Sequence, residues 1–124
     1  MDPLDKALLC LKIIQERKAI DPVLFDVREF TSITDYFLIT SGSSNRQVQT
    51  ISKHIVRRMR EEGFKVYGME GEQQGHWVLI DYNDVVIHVF YQPVREFYDL
   101  EGLWVEAPRV KPEEPSGQGE RVSE

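Results

Sequence analysis

The chain has one cysteine in 124 residues. An internal disulfide is therefore impossible, a secreted disulfide scaffold is excluded, and a reducing compartment is expected. It also lacks a basic excess: fifteen Lys and Arg stand against twenty-one Asp and Glu, for a net charge of −6. A free-standing nucleic-acid binder normally needs cations to neutralise phosphate, so this balance speaks against one. No apolar run approaches the ~20 residues that cross a bilayer, so no membrane span is expected. Met1-Asp2-Pro3-Leu4-Asp5 has no basic segment and no small-residue cleavage site. No leader is expected from it, and the cytoplasm is the expected setting. Internal repeats are absent, and so is the GxxxxGK[ST] phosphate loop.

What is present is an ordinary globular composition, with 41% hydrophobic, 29% charged and 10% aromatic residues. That suffices for one domain with a real core. Charge is unevenly placed. Residues 1–44 carry net −2, residues 45–65 net +4, residues 66–106 net −7 and residues 107–124 net −1. A basic segment followed by a strongly acidic one points either to partner electrostatics or only to solubility.

Asp2 and Pro3 form a helix start, and Leu4, Leu8, Leu11 and Ile14 recur at helical spacing, so a helix is expected over about 3–18. Asp21-Pro22 breaks it, and Val23–Val27 reads as a short strand. The apolar run 35–40 suits a central strand buried on both faces. Ser44 and Gln47 have capping-box spacing and open a second helix. Val48, Ile51, Ile55 and Met59 form its apolar stripe, and Gly63 ends it. Phe64–Met69 is a strand candidate. His76–Tyr82 and Asp84–Tyr91 read as a hairpin around Asn83-Asp84. With those two as the turn, Val78 faces Val89 and Ile80 faces Ile87 on one apolar side. The other side pairs Trp77 with Phe90, Leu79 with His88 and Asp81 with Val86. A face that mixes Trp with Asp and His is expected to be partly exposed. Pro93 opens a last helix to about Gly102, with Phe97, Leu100 and Trp104 as anchors and Arg95 paired to Asp99. A domain over 1–106 is expected, with 107–124 a disordered tail. The element order predicts an α/β fold with a mixed sheet flanked by helices.

Candidate chemistry is thin. Ser41-Gly42-Ser43-Ser44 follows a strand and opens a helix, so it either cradles phosphate or is a structural turn. With Glu70-x-Glu72 it gives the best enzymatic alternative, a nucleotide-dependent transferase with metal-holding carboxylates. No third carboxylate stands beside them, and the loop is equally explained as solvated. His76 and His88 with Asp81 and Asp84 do not converge as metal ligands, because the two histidines fall on opposite faces. Neither metal nor cofactor is expected. Cys10 sits among leucines and reads as a small buried hydrophobe. Arg57-Arg58-Met59-Arg60 faces either water or RNA phosphate, without the aromatics that would stack bases. Trp77 beside Asp81 has the pattern of a contact hot spot: an aromatic with a charged rim.

Several segments, in order, resemble the ribosomal silencing factor (Iojap-like) family. They are Asp35–Val48 (DYFLITSGSSNRQV), Glu70-Gly71-Glu72, Gly75–Tyr82 (GHWVLIDY), Asp84–Phe90 (DVVIHVF), Arg95–Glu101 (REFYDLE) and Leu103-Trp104. The match spans about residues 3–108. The resemblance implies a nucleotidyltransferase-like α/β domain without catalytic carboxylates, and a protein that is not an enzyme. It implies a translation repressor that binds the large ribosomal subunit through universal ribosomal protein fourteen. Docking there would block the small subunit sterically and silence the ribosome. It also implies a homodimer. It does not account for the basic helix, which faces either nearby ribosomal RNA, as a peripheral contact, or only water. Carried onto this chain, the expected contact is Trp77, Leu79, Asp81, His88 and Phe90, with Asp84 and Tyr98 at the rim. Ribosomal proteins are basic, so the −7 segment suits one electrostatically.

Overall fold

Asp2 and Pro3 start the first helix as expected. Asp2 Oδ1 accepts from Leu4 N at 3.4 Å, and Pro3 occupies the first turn. The computed structural model describes residues 1–111. Its elements are α1 (Pro3–Gln15), β1 (Ile20–Asp26), β2 (Tyr36–Gly42), α2 (Asn45–Glu61), β3 (Gly68–Glu70), β4 (Trp77–Asp81), β5 (Val85–Tyr91), α3 (Gln92–Tyr98), a 3₁₀ turn (Leu100–Trp104) and β6 (Arg109–Val110). The six strands form one sheet in the order β3-β4-β5-β2-β1-β6. Strands β2 and β5 run parallel and all other neighbours antiparallel, so the sheet is mixed as the element order predicted.

The sheet has two unequal faces. On one, α1 and α2 pack Ala7, Cys10, Leu11, Ile14, Val48, Ile51, Ile55 and Met59 against Leu38, Val78, Ile80, Ile87 and Val89. On the other, α3 and the 3₁₀ turn cover a smaller cluster of Val23, Phe25, Val27, Ile39, Phe90 and Ala107. A helix layer that covers only part of a sheet face leaves the remainder available.

Several boundaries differ from expectation. Helix α1 stops at Gln15, and β1 begins before Pro22. A bulge between Ile20 and Val23, with Asp21 at φ +46°, lets the strand pass through the proline. The segment 64–69 is mostly not strand. Gly63 at φ +96° turns the chain, and Phe64 N donates to Met59 O at 2.8 Å, so Phe64 is used up closing α2. Only Gly68–Glu70 reaches the sheet edge.

The last helix is split, because Asp99 adopts a left-handed conformation at φ +47°. Leu100 and Trp104 do pack on the second cluster, but Phe97 is 80% exposed and anchors nothing. Arg95 pairs with Glu101 and not with Asp99. The domain does not stop at 106 either. Arg109 and Val110 pair with Phe25 and Leu24, and Asp26 N donates to Pro108 O at 2.9 Å. The expected disorder therefore fails for 107–110, where an open β1 edge offers backbone partners that composition does not reveal. The rest of the expected tail lies outside the described residues.

The hairpin register is as expected: Trp77 opposite Phe90, Leu79 opposite His88, Asp81 opposite Val86. Tyr82 N donates to Val85 O at 2.9 Å, and Asn83 takes φ +74° at the turn. Asp81 Oδ1 accepts from Asn83 N at 2.7 Å and holds that turn shut.

Candidate functional site

Period-two alternation puts the odd residues of β4 on the sheet face away from α1 and α2. Trp77, Leu79 and Asp81 are each half-buried there. Trp77 is fixed from three sides. Its indole N–H donates to His88 Nδ1 at 2.8 Å, and its ring lies 4.9 Å from Phe90 and 5.1 Å from Tyr98. The aromatic layer continues through His88 to Phe37 at 4.5 Å and on to Trp104 at 5.3 Å.

Two open depressions flank Leu79. One, of about 320 Å³, is lined by Glu70, Gly71, Trp77, Leu79 and His88. The other, of about 300 Å³, is lined by Ile33, Phe37, Leu79, Asp81, Val86 and Trp104 together with Thr31 and Thr34. Leu79 lines both, so the two depressions adjoin and are taken together as an apolar trough, with Glu70 lining the first and Asp81 the second. Ile33, 83% exposed, stands on its lip.

Trp77, Leu79, Asp81 and the 55%-exposed Tyr98 thus come together on this face. Two expected residues offer no surface to it and a third very little. Phe90 is fully covered, and His88, 7% exposed, only floors the first depression; both support Trp77 from beneath. Asp84 is not at this rim. It turns to the helical layer and pairs with Lys6 Nζ at 2.8 Å, while Lys6 also donates to Tyr82 O at 2.9 Å. Three lining residues had not been singled out for this face. Glu70 reads in the sequence as part of a solvated loop, or in the enzymatic alternative as a metal-holding carboxylate, yet its pairing opposite Leu79 puts it on the trough side. Phe37 is placed only by the parallel pairing of β2 with β5, which no local pattern encodes. Ile33, a large apolar residue between Ser32 and Thr34 in a loop, was a readable signal.

Burial pushes the His88 ring down to about 4. It is neutral at pH 7, and its Nδ1 lone pair is free to accept from Trp77. The unfolded chain, at the ordinary His value near 6.5, binds the proton more readily. Stability is therefore fully present above about pH 6.5, and it declines as pH falls toward about 4. The loss is at most about 3 kcal/mol, roughly 1.4 per unit of displacement. Urea melts at pH 7 and pH 4.5 are expected to show this slope, and His88→Gln is expected to flatten it. An equal slope in both chains would remove His88 as the cause.

Gly71 makes the tight approach of the β3–β4 loop. It has φ +87°, and a Cβ there would lie 2.1 Å from Trp77 O. Gly71→Ala is expected to cost at least about 2 kcal/mol in chemical unfolding, from the left-handed backbone and the clash. An unchanged melt would show that the loop simply moves aside.

The enzymatic alternative meets occupied groups. Ser41 is fully buried; its hydroxyl donates to Gln92 Oε1 and accepts from Arg95 Nη1 at 3.0 Å. Ser43 N and Oγ both donate to Gln47 Oε1, at 2.6 and 2.7 Å, and Ser44 Oγ accepts from Gln47 N at 3.0 Å. These are the donors a phosphate would need. Among the described residues, no group of three or more His, Cys, Asp or Glu side chains is placed to hold a metal ion. Burial raises the Cys10 thiol to about 12, which keeps it protonated and unreactive. No helix among the described residues is long and apolar enough to cross a membrane.

The chain matches the family Ribosomal silencing factor during starvation over residues 1–124. It is 39% identical over 103 residues to the ribosomal silencing factor RsfS of Halalkalibacterium halodurans, covering 83% of this chain and 88% of that one. A more distant relative, 27% identical over 99 residues, is the mouse mitochondrial assembly of ribosomal large subunit protein 1. There the match covers 77% of this chain and 43% of the relative. A crystal structure of a Chromobacterium violaceum protein superposes with a TM-score of 0.82 at 33% identity, covering 85% of this chain and 88% of that one.

Proposed function

The chain belongs to the ribosomal silencing factor family, and on that premise we propose that it represses translation by occupying the large ribosomal subunit. The contact is universal ribosomal protein fourteen, and the bound chain stands where the small subunit would join. The reading rests above all on Trp77, half-buried and locked by His88, Phe90 and Tyr98 beside an apolar trough. A rigid aromatic loses little entropy on binding, and the apolar trough beside it supplies the contact that excludes water. Glu70 and Asp81, which line the two depressions, favour a basic protein as partner. Occupancy is a sufficient mechanism: a steric block needs affinity and position, and no bond is made or broken.

A relative named for ribosomal large subunit assembly supports the large subunit over the small as the docking partner. The cytoplasm, where ribosomes work, is the setting this reading requires. The homodimer belongs to the same proposal and is read by multi-angle light scattering. The test is cosedimentation of the full chain with separated subunits, followed by light scattering of subunit joining. The chain is expected to pellet with large subunits alone and to lower the joined fraction in proportion to its occupancy. Binding to small subunits, or joining unaffected at saturation, would overturn the proposal.

A further inference from the structure

Helix α2 carries five cations, and one of them is held in ion pairs. Arg58 reaches across to Glu16 at 3.1 Å and along its own helix to Glu61 and Glu62 at 3.4 and 3.3 Å. His54, beside it, also bonds Glu16, at 2.8 Å, and its Nδ1 lies 3.1 Å from Arg57 Nη2. The other four, Arg46, Lys53, Arg57 and Arg60, are exposed, and none forms an ion pair among the described residues.

Their spacing is regular. At about 100° per residue they fall within about 60° of one another and span about 21 Å along the axis. The buried residues Val48, Ile51, Ile55 and Met59 lie on the opposite side of the helix. Between Arg46 and Arg60 the only other exposed residue is Thr50. The result is a straight row of four positive charges on the outside of the helical layer, across the sheet from Trp77.

We propose that this row binds the phosphate backbone of duplex RNA, as a second surface separate from the trough. The inference takes its setting, next to ribosomal RNA, from the repressor reading. Three of the four cations are Arg, whose planar fork matches phosphate oxygens. The row has no aromatic side chain on which to stack a base, so it suits backbone and not sequence. It has no exposed apolar side chain to enter a bilayer, unlike an interfacial helix. The net charge of −6 keeps the contact weak and local, and it depends on this row alone.

The probe is a fluorescein-labelled RNA duplex of about 16 base pairs, the span one duplex-binding domain covers. Its anisotropy is followed with the full chain from 50 to 200 mM salt. The expected slope of log affinity against log salt is about −3 to −4, near −0.9 for each of four phosphates neutralised, and equal for a second duplex of unrelated sequence. Arg46→Gln, Lys53→Gln, Arg57→Gln and Arg60→Gln combined are expected to flatten the slope to below about −1, with at least tenfold weaker binding at 50 mM. Arg58→Gln is expected to leave the slope unchanged. Circular dichroism of each variant shows that it is folded.

No binding by the unaltered chain at 50 mM would overturn the proposal, as would a combined variant that binds as the parent does. Tighter binding to phosphatidylserine vesicles than to the duplex would also overturn it, assigning the row to a membrane surface. The two readings fail separately. Trp77→Ala is expected to keep duplex binding, and the unaltered chain's pelleting with large subunits is scored independently of the duplex.

Discussion

Arg95→Ala is expected to lower folding stability by about 3–5 kcal/mol, the cost of breaking a buried, fully bonded charge. Arg95 is 5% exposed. Its Nε and Nη2 hold Glu101 at 3.0 and 3.2 Å. Its Nη1 donates to Ile20 O and to Ser41 Oγ, both at 3.0 Å, and its Nη2 donates to Asp21 O at 2.9 Å. Those carbonyls belong to the β1 bulge, where the ladder is interrupted, and Arg95 supplies donors to both. One side chain thus joins α3, the 3₁₀ turn, β1 and β2. Removing it leaves the half-buried Glu101 carboxylate without its ion-pair partner and Asp21 O without its donor, while Ile20 O keeps Thr40 Oγ1 and Ser41 Oγ keeps Gln92. At about 4 °C per kcal/mol for a domain of this size, the melting midpoint is expected to fall by about 12–20 °C. Arg95→Lys retains charge but loses the fork, and is expected to recover only part of the loss. A thermal midpoint within 3 °C of the parent, roughly 1 kcal/mol, would show that the cluster is replaceable.

Trp77→Ala is expected to weaken binding to the large subunit by about 30-fold, the ~2 kcal/mol or more that marks a contact hot spot. The side chain supplies the wall of one depression and covers Phe90 and His88. Truncation therefore removes contact area and also frees the layer beneath. Trp77→Phe separates the two effects. It keeps an apolar ring while removing the N–H that bonds His88 Nδ1, and it is expected to lose less than tenfold. Leu79→Ala, in the shared wall of both depressions, is expected to fall between them. Cosedimentation titrations report these affinities, and urea melts of each variant show that the domain persists. A Trp77→Ala chain that binds within threefold of the parent would move the docking surface elsewhere.

Much of the candidate site's geometry is legible in the sequence. A tight Asn83-Asp84 turn fixes the hairpin register, and register fixes which side chains share a face. Trp77, Leu79 and Asp81 were thereby grouped correctly by alternation alone. The depth of each could not be read this way. Phe90 and His88 share their face but lie on β5, next to the central β2, where α3 and Trp77 cover them. Asp84 sits in the turn, where alternation no longer applies, and Lys6, 78 residues earlier in the chain, turns it to the other side. Glu70 changed meaning when strand β3 placed it opposite Leu79 instead of in a solvated loop.

The charge pattern divides the same way. Sequence alone determined a single α/β domain, a capped basic helix, an acidic hairpin, and the motifs that identify the family. These are local properties, written in spacing, capping and turn chemistry over a few residues. Tertiary structure decided which charges remain free. It consumed Arg58 on Glu16 and Arg95 on Glu101, and it left four cations in a row on one side of the sheet and a tryptophan trough on the other. It also extended the domain through Val110, because an exposed strand edge accepts whatever backbone reaches it. Pairings of this kind join residues far apart in the chain, and no local spacing encodes them.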